Sequence, residues 1–394
     1  MSMLHVLYLV HDLSDPAVRR RVIMLQAGGA EVTLAGFRRA RQPVAGLDGI
    51  LPIDLGETRD GRFAQRLAAV ARAALSLRAR LQGVRKPDVI IGRNLEMLAL
   101  ANRARSLFGT DTPVVYESLD IHRLLLRRDG IGRAMRRAER RLAQSCALLL
   151  TSSPAFVREY FAPYRQISAP VVLLHNKVLE LADGQDDGPL QAAAPTEGEP
   201  WKIGWFGALR CRKSLELLAA FTRRMEGRYE VILRGRPAYS EFADFDAFVA
   251  AEPHIRFEGA YRNPEDLARI YGEVHFSWAI DFFEEGLNSS WLLPNRLYEG
   301  CRHGAVPIAM RKTETGRFLA DRHLGLLLGE PSAEALAALI RGLDAEDYEA
   351  KRRRITLQDR GTFVCDAGDC RALVDRLRGL AVAIRPTTLV QAAA

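Results

Sequence analysis

Short apolar runs alternate with amphipathic stretches twice along this chain, with one break between the two series. The first series places strand-like runs at residues 4–10, 31–37, 88–92, 113–117, 146–152 and 171–175. Between them lie helical patterns, the clearest at 62–81, where Phe63, Leu67, Val70, Ala74, Leu77 and Leu81 recur at helical spacing. The second series places strands at 201–206, 229–233, 255–258, 274–280, 306–310 and 324–328. Helices are expected between them, with others at 333–343 and near 370–384. Strands that alternate with helices pair in parallel and are covered on both faces, so each series predicts an α/β domain. The break, residues 182–200, reads ADGQDDGPLQAAAPTEGEP and has no hydrophobic period. A length of 394 residues is itself too long for one ordinary core. The expected division is an N-terminal domain at 1–182, a linker at 183–198, a second domain at 199–365 and a helix with tail at 366–394. The pattern does not decide on which domain that last helix packs.

Several functions of α/β chains are excluded by the residues at the strand ends. There is no G-x-x-x-x-G-K-[ST] phosphate loop and no G-x-S-x-G elbow. The first strand runs into His11-Asp12-Leu13-Ser14-Asp15-Pro16, which offers a dinucleotide no glycine turn. The five cysteines form no C-x-x-C pair, so neither a zinc site nor a disulfide framework is expected. No apolar run reaches the roughly 18 residues of a membrane-spanning helix, and no secretory leader opens the sequence. A cytoplasmic protein is expected.

The stretch with most chemical content is GLNSSWLLPNRLYEGCRHGAVPIA, residues 286–309. Pro294 suits a first helical position, and Asn288, Ser289 and Ser290 line the approach to it. The free N–H groups and dipole of a helix start favour a phosphate, to which Asn295 and the fork of Arg296 add donors. Glu299 stands one turn further in, where a carboxylate accepts hydrogen bonds from the vicinal hydroxyls of a ribose. Anion at the mouth and acid beside it is a layout for a nucleoside diphosphate. A second cluster follows the strand at 201–206: Gly207 allows close approach of a ligand, and Arg210, Arg212 and Lys213 come next. The nucleobase is placed by topology on the later loops, with Gly235 and Tyr261 as candidates.

Here the chain resembles a known family. The 286–309 stretch is similar to the donor-nucleotide motif of GT-B glycosyltransferases, and WFGALRCRKSLELL to their diphosphate-gripping turn. VYESLDIHRLLL (115–126), LLTSSPAFVREYF (149–161), LLHNKV (173–178) and FSWAIDFFEEGLNSSWLLPNRLYEG (276–300) resemble the succinoglycan-type exopolysaccharide glycosyltransferases of the ExoL kind. The resemblance implies a GT-B fold, two Rossmann-like parallel-sheet domains facing across a cleft. It implies transfer of a sugar from a nucleotide donor, UDP-sugar being the first candidate, to a polyprenyl-diphosphate-linked oligosaccharide. By it, Glu299 holds the donor ribose, and Arg212, Lys213 and Arg296 hold the diphosphate. Many retaining members carry a second Glu eight residues before the ribose Glu, where this chain has Trp291. Glu284 and Glu285 are near but out of register, so the resemblance does not carry a retaining mechanism over.

With no D-x-D in a suitable loop, fixed cations are expected in place of a metal, and no cofactor is expected. An inverting transfer also needs a base near the acceptor. Asp120 and His122, after the strand at 113–117, are the first candidates, with Glu117 as support and His11 and Asp12 next. Charge is uneven along the chain. Residues 1–170 hold 27 Lys and Arg against 15 Asp and Glu, a net +12, while the remainder carries −4. Arg133, Arg136, Arg137, Arg140 and Arg141 crowd one helix, and Arg62, Arg66 and Arg80 flank the stripe at 62–81. Such faces suit an anionic membrane surface and a lipid diphosphate. Two rivals remain at this level: a nucleotide-sugar epimerase or hydrolase on the same fold, and a nucleic-acid-binding protein using the basic half. The second needs aromatics among the arginines, and 133–141 has none.

Overall fold

A computed structural model describes residues 3–39, 46–58, 63–182 and 192–384. The chain divides into two compact units, Met1–Leu174 with Cys365–Ala394, and His175–Val364. Residues 175–182, grouped above with the first domain, fall in the second. Most of the expected linker (183–191) and the last ten residues of the tail lie outside the described residues.

The first unit is built on seven parallel strands: β1 (Leu4–Val10), β2 (Ala30–Arg38), β3 (Ile53–Glu57), β4 (Val89–Arg93), β5 (Val114–Ser118), β6 (Cys146–Thr151) and β7 (Val171–Leu173). Their order in the sheet is β3-β2-β1-β4-β5-β6-β7. Strand β1 is buried along its whole length, which is why it reads as an unbroken apolar run. The order reverses at β1, whose two edges pair in parallel with β2 and β4, so ligands are expected at the strand ends there. The helix Phe63–Arg80 packs through Ala69, Ala73 and Leu77. That corrects the stripe read from the sequence, because Leu67 points outward and is 49% exposed. The final helix, Ala367–Ile384, belongs to this unit and lies against the helix Pro16–Ala27.

After the two-residue strand β8 (Val178–Leu179), the second unit forms a six-stranded parallel sheet. Its strands are β9 (Trp201–Leu209), β10 (Tyr229–Pro237), β11 (Ile255–Phe257), β12 (Phe276–Trp278), β13 (Val306–Met310) and β14 (Leu326–Leu328). The order is β11-β10-β9-β12-β13-β14, with the reversal between β9 and β12. Trp205 and Trp278 fill the centre of its core. The end of the linker is fixed to this unit: Tyr348 donates to the Ala192 carbonyl at 2.9 Å, and His275 Nε2 meets the Ala193 carbonyl at 3.0 Å. Lys202 N–H donates to His275 Nδ1 at 2.8 Å, so Nε2 carries the ring proton, and burial pushes the pKa down to about 4.

Candidate functional site

In the second unit, the ends of β9 and β10 come together at Gly207 and Gly235, which are partners in the strand register. Gly207 has φ +109° and Gly235 φ +135°, a region L side chains rarely adopt. A Cβ on Gly235 would lie 1.9 Å from the Gly207 carbonyl oxygen, so only glycine fits. Tyr261 packs its ring on Phe206 beside this pair. Burial raises the pKa of Tyr261, and the carboxylate of Glu299 raises it further. Gly207, Gly235, Tyr261 and Glu299 thus share one neighbourhood.

Glu299 stands in the helix Asn295–Arg302, with Pro294 at its N-cap rather than one residue inside. The carboxylate is 6% exposed. It accepts from Asn263 Nδ2 at 2.9 Å and from the Tyr271 hydroxyl at 3.2 Å. These two bonds orient the group, and a carboxylate so held is the chemistry that accepts from vicinal hydroxyls.

The expected diphosphate cations are partly gathered. Arg210 and Arg296 both reach Asp281 Oδ2, at 3.4 and 3.5 Å. Arg296 also donates to the Ile280 carbonyl at 3.0 Å, while its Nε is buried without a hydrogen-bond partner. Lys213 Nζ meets both oxygens of Glu285 at 2.7 Å and sits over the Phe282 ring. Arg212 does not join them: it is 69% exposed and pairs with Glu216 one turn along its own helix. The counter-ions Asp281 and Glu285 carried no spacing signal in the sequence. Ser289 and Ser290 form a single helical turn with Trp291, and Asn295 is exposed at the start of the next helix. With Asp281, Phe282, Glu285, Lys312, Thr313 and Glu330 among its other walls, the two serines line a cavity of ≈ 400 Å³ at the ends of β12, β13 and β14. That volume is of the size that takes a small ligand.

In the first unit, the candidate bases separate by burial. Glu117 is fully buried; Arg21 Nε donates to it at 2.6 Å, Arg93 Nη1 at 3.3 Å, and the Tyr8 hydroxyl also donates to it. Burial by itself raises a carboxyl pKa, but Arg21 and Arg93 outweigh it and hold Glu117 below its ordinary value. It is a scaffold ion and not the supporting base expected above. Asp12 is also committed: it accepts from Ser14 N–H at 2.9 Å and pairs with Arg39 at 2.9 Å. His122 caps the short helix Arg123–Leu126, its Nδ1 accepting from Leu124 N–H at 3.3 Å. The bare nitrogen a base needs is therefore turned to the backbone, which corrects the base expected there. Asp120 is exposed at the C-terminal end of β5, one oxygen accepting from Ile121 N–H at 2.8 Å. His11 lies at the end of β1, its Nδ1 3.3 Å from Asn94 Nδ2. Burial pushes its pKa down, and Arg93 adds to that. Arg136, expected on the basic helix face, is buried instead and donates to the Leu125 and Arg127 carbonyls.

No family model matches the chain. It is 60% identical over 398 residues, 100% of this chain and 98% of the other, to the succinoglycan biosynthesis protein ExoL of Rhizobium meliloti (strain 1021). The fold is similar to that of the sucrose-phosphate synthase of Thermosynechococcus elongatus. The TM-score there is 0.70 at 13% identity, covering 96% of this chain and 99% of that one. It is also similar to Anabaena HepE solved in complex with UDP-glucose, with TM-score 0.59 at 14% identity and coverage of 97% and 98%.

Proposed function

The chain belongs to the family of the succinoglycan biosynthesis protein ExoL, and from that premise we propose that it is a GT-B glycosyltransferase of exopolysaccharide biosynthesis whose second unit holds a nucleotide-sugar donor. The observation that carries the donor site is Glu299. It is a buried carboxylate oriented by Asn263 and Tyr271, on the same short helix as Arg296. In this reading the ribose hydroxyls bond Glu299, and the base lies against Tyr261 and the Gly207–Gly235 pair. The diphosphate takes the place of Asp281 and Glu285 on Arg210, Arg296 and Lys213. The Lys213–Glu285 pair is largely exposed and so holds weakly, which makes exchange for a diphosphate favourable. The glycosyl group enters the adjoining cavity. Fixed cations then stabilise the leaving diphosphate, so transfer is read as metal-independent.

Glu299→Gln keeps the shape and removes the charge. Hydrogen bonds to a charged group are stronger than neutral ones by about 1 kcal/mol each, so two ribose bonds predict a roughly 10- to 100-fold weaker donor affinity by calorimetric titration. Affinity equal to wild type would remove Glu299 from the site.

On the first unit we assign the acceptor hydroxyl to Asp120 as base, since it is an exposed carboxylate at the C-terminal end of β5, whereas Glu117 is enclosed. The acceptor's lipid carrier and the membrane surface are part of the same proposal. The helix Phe63–Arg80 exposes Leu67 (49%) and Leu75 (84%) on one face, with Arg72 and Arg78 also exposed. None of the described helices is long and apolar enough to cross a membrane. An exposed leucine pair flanked by cations suits the interface of an anionic bilayer. Leu75→Asp combined with Arg78→Glu is expected to lower sedimentation with phosphatidylglycerol vesicles by about tenfold or more, with no change in affinity for the donor. Undiminished sedimentation would place membrane contact elsewhere.

A further inference from the structure

Asn94 stands at the end of β4 with φ +70° and ψ 169°. Asparagine tolerates the left-handed helical region, but this ψ lies far outside it, in a region essentially restricted to glycine. The residue is also the N-cap of the helix Leu95–Phe108, where an asparagine side chain ordinarily accepts from the first turn, yet it makes no capping bond. A glycine would serve the backbone here better, so the reason for asparagine lies in what its amide reaches. That is Nδ1 of His11, 3.3 Å from Nδ2.

The surroundings hold the strained residue in place. Asn94 N–H donates to the Glu117 carbonyl at 2.8 Å. The preceding Arg93 is buried and fixed by Glu117, Tyr8 and Asp15. Backbone strain persists where neighbours over-determine a conformation, and it concentrates at functional sites.

We propose that Asn94 is a positioning residue that sets the tautomer of His11. Its amide donates to Nδ1, which places the ring proton on Nε2 and makes neutral His11 a hydrogen-bond donor rather than a base. The charged groups around that ring are Arg93, Asp15, Arg39 and Glu96, and burial with Arg93 keeps it uncharged at neutral pH. The class of group it addresses is an oxygen of the sugar or of the acceptor. This last step rests on the glycosyltransferase reading; the tautomer and the strain do not.

The test uses full-length protein with 15N-labelled histidine, His11 being assigned by loss of its signals in His11→Gln. Wild type is expected to show Nε2–H and bare Nδ1. Asn94→Gly is expected to raise Tm by about 2–4 °C as strain is released. It should also mix the two His11 tautomers and lower kcat for sugar transfer about tenfold with KM for donor unchanged. A structural role alone predicts a higher Tm with normal kcat and an unaltered imidazole spectrum, and that result overturns the proposal. So does an Nδ1–H tautomer in wild type, or an Asn94→Gly variant no more stable than wild type. If wild type transfers sugar from no nucleotide-sugar, the glycosyltransferase reading fails, while the spectra and melting curves still decide whether Asn94 governs His11.

Discussion

Replacing Asp120 by asparagine is expected to cut sugar transfer by about 10²–10⁴-fold, the range over which a positioned acid or base acts. Donor affinity should stay at the wild-type value, because Asp120 belongs to the first unit and the donor groups to the second. Structure should stay intact as well. Asp120 is exposed, and the bond that its Oδ1 accepts from Ile121 N–H can be kept by the asparagine carbonyl. The carboxylate cannot be replaced in its other capacity, since an amide does not take a proton from a sugar hydroxyl at neutral pH. A kinetic comparison at saturating donor is the measurement. Transfer within about threefold of wild type would take Asp120 out of the mechanism.

The second large effect concerns stability. Glu117→Ala is expected to destabilise the protein by about 3–5 kcal/mol, read from urea unfolding. Its removal leaves Arg21 without the carboxylate it pairs with and Arg93 with Asp15 alone, both cations being under 10% exposed. Tyr8 loses the acceptor of its hydroxyl at the same time. The same carboxylate makes a pH signature. Its folded pKa lies below the ordinary 4.5, so its contribution is fully present above that value. It is lost as pH falls from about 4.5 through the folded pKa, because the unfolded chain takes up the proton first. Wild-type stability should therefore decline in that acid window, and Glu117→Gln should flatten the decline. A Glu117→Ala protein as stable as wild type at pH 7 would show that the ion cluster is not a scaffold.

Much of the fold was legible because parallel strands covered on both faces leave continuous apolar runs. LHVLYLV and VPIAM read as strands for that reason. The strand IDLGE did not, since an edge position tolerates an acid and a glycine that break the run. The buried face of the helix at 63–80 differs from the apolar stripe for another reason. The inward ridge includes Ala69 and Ala73, whose weak hydrophobic signal is outweighed by the outward leucines.

The candidate site was legible to the extent that its chemistry lies in local motifs. Glu299 and Arg296 share one short helix, so spacing alone brings them together. Arg212 and Lys213 are adjacent in sequence, but neighbouring helix positions point in different directions, and only Lys213 turns to the 281–290 loop. Asp281 and Glu285 come to the cations only through the sheet order. Nothing in Arg93-Asn94-Leu95 signals a glycine-like backbone, because asparagine before a helix is an ordinary cap. Burial separates Glu117 from Asp120, three residues apart, and burial of that kind is a property of the packed sheet.

In the proposed function the second unit clamps a nucleoside diphosphate between Glu299 and the cations Arg210, Lys213 and Arg296. Its most direct measurement is a thermal-shift and calorimetric series on the full-length protein with a panel of nucleotide-sugars, the parent nucleoside monophosphates and a duplex nucleic acid. One diphosphate sugar should raise Tm and bind saturably, and the monophosphates should bind more weakly. Affinity for the duplex with no response to any nucleotide-sugar would contradict the proposed clamp.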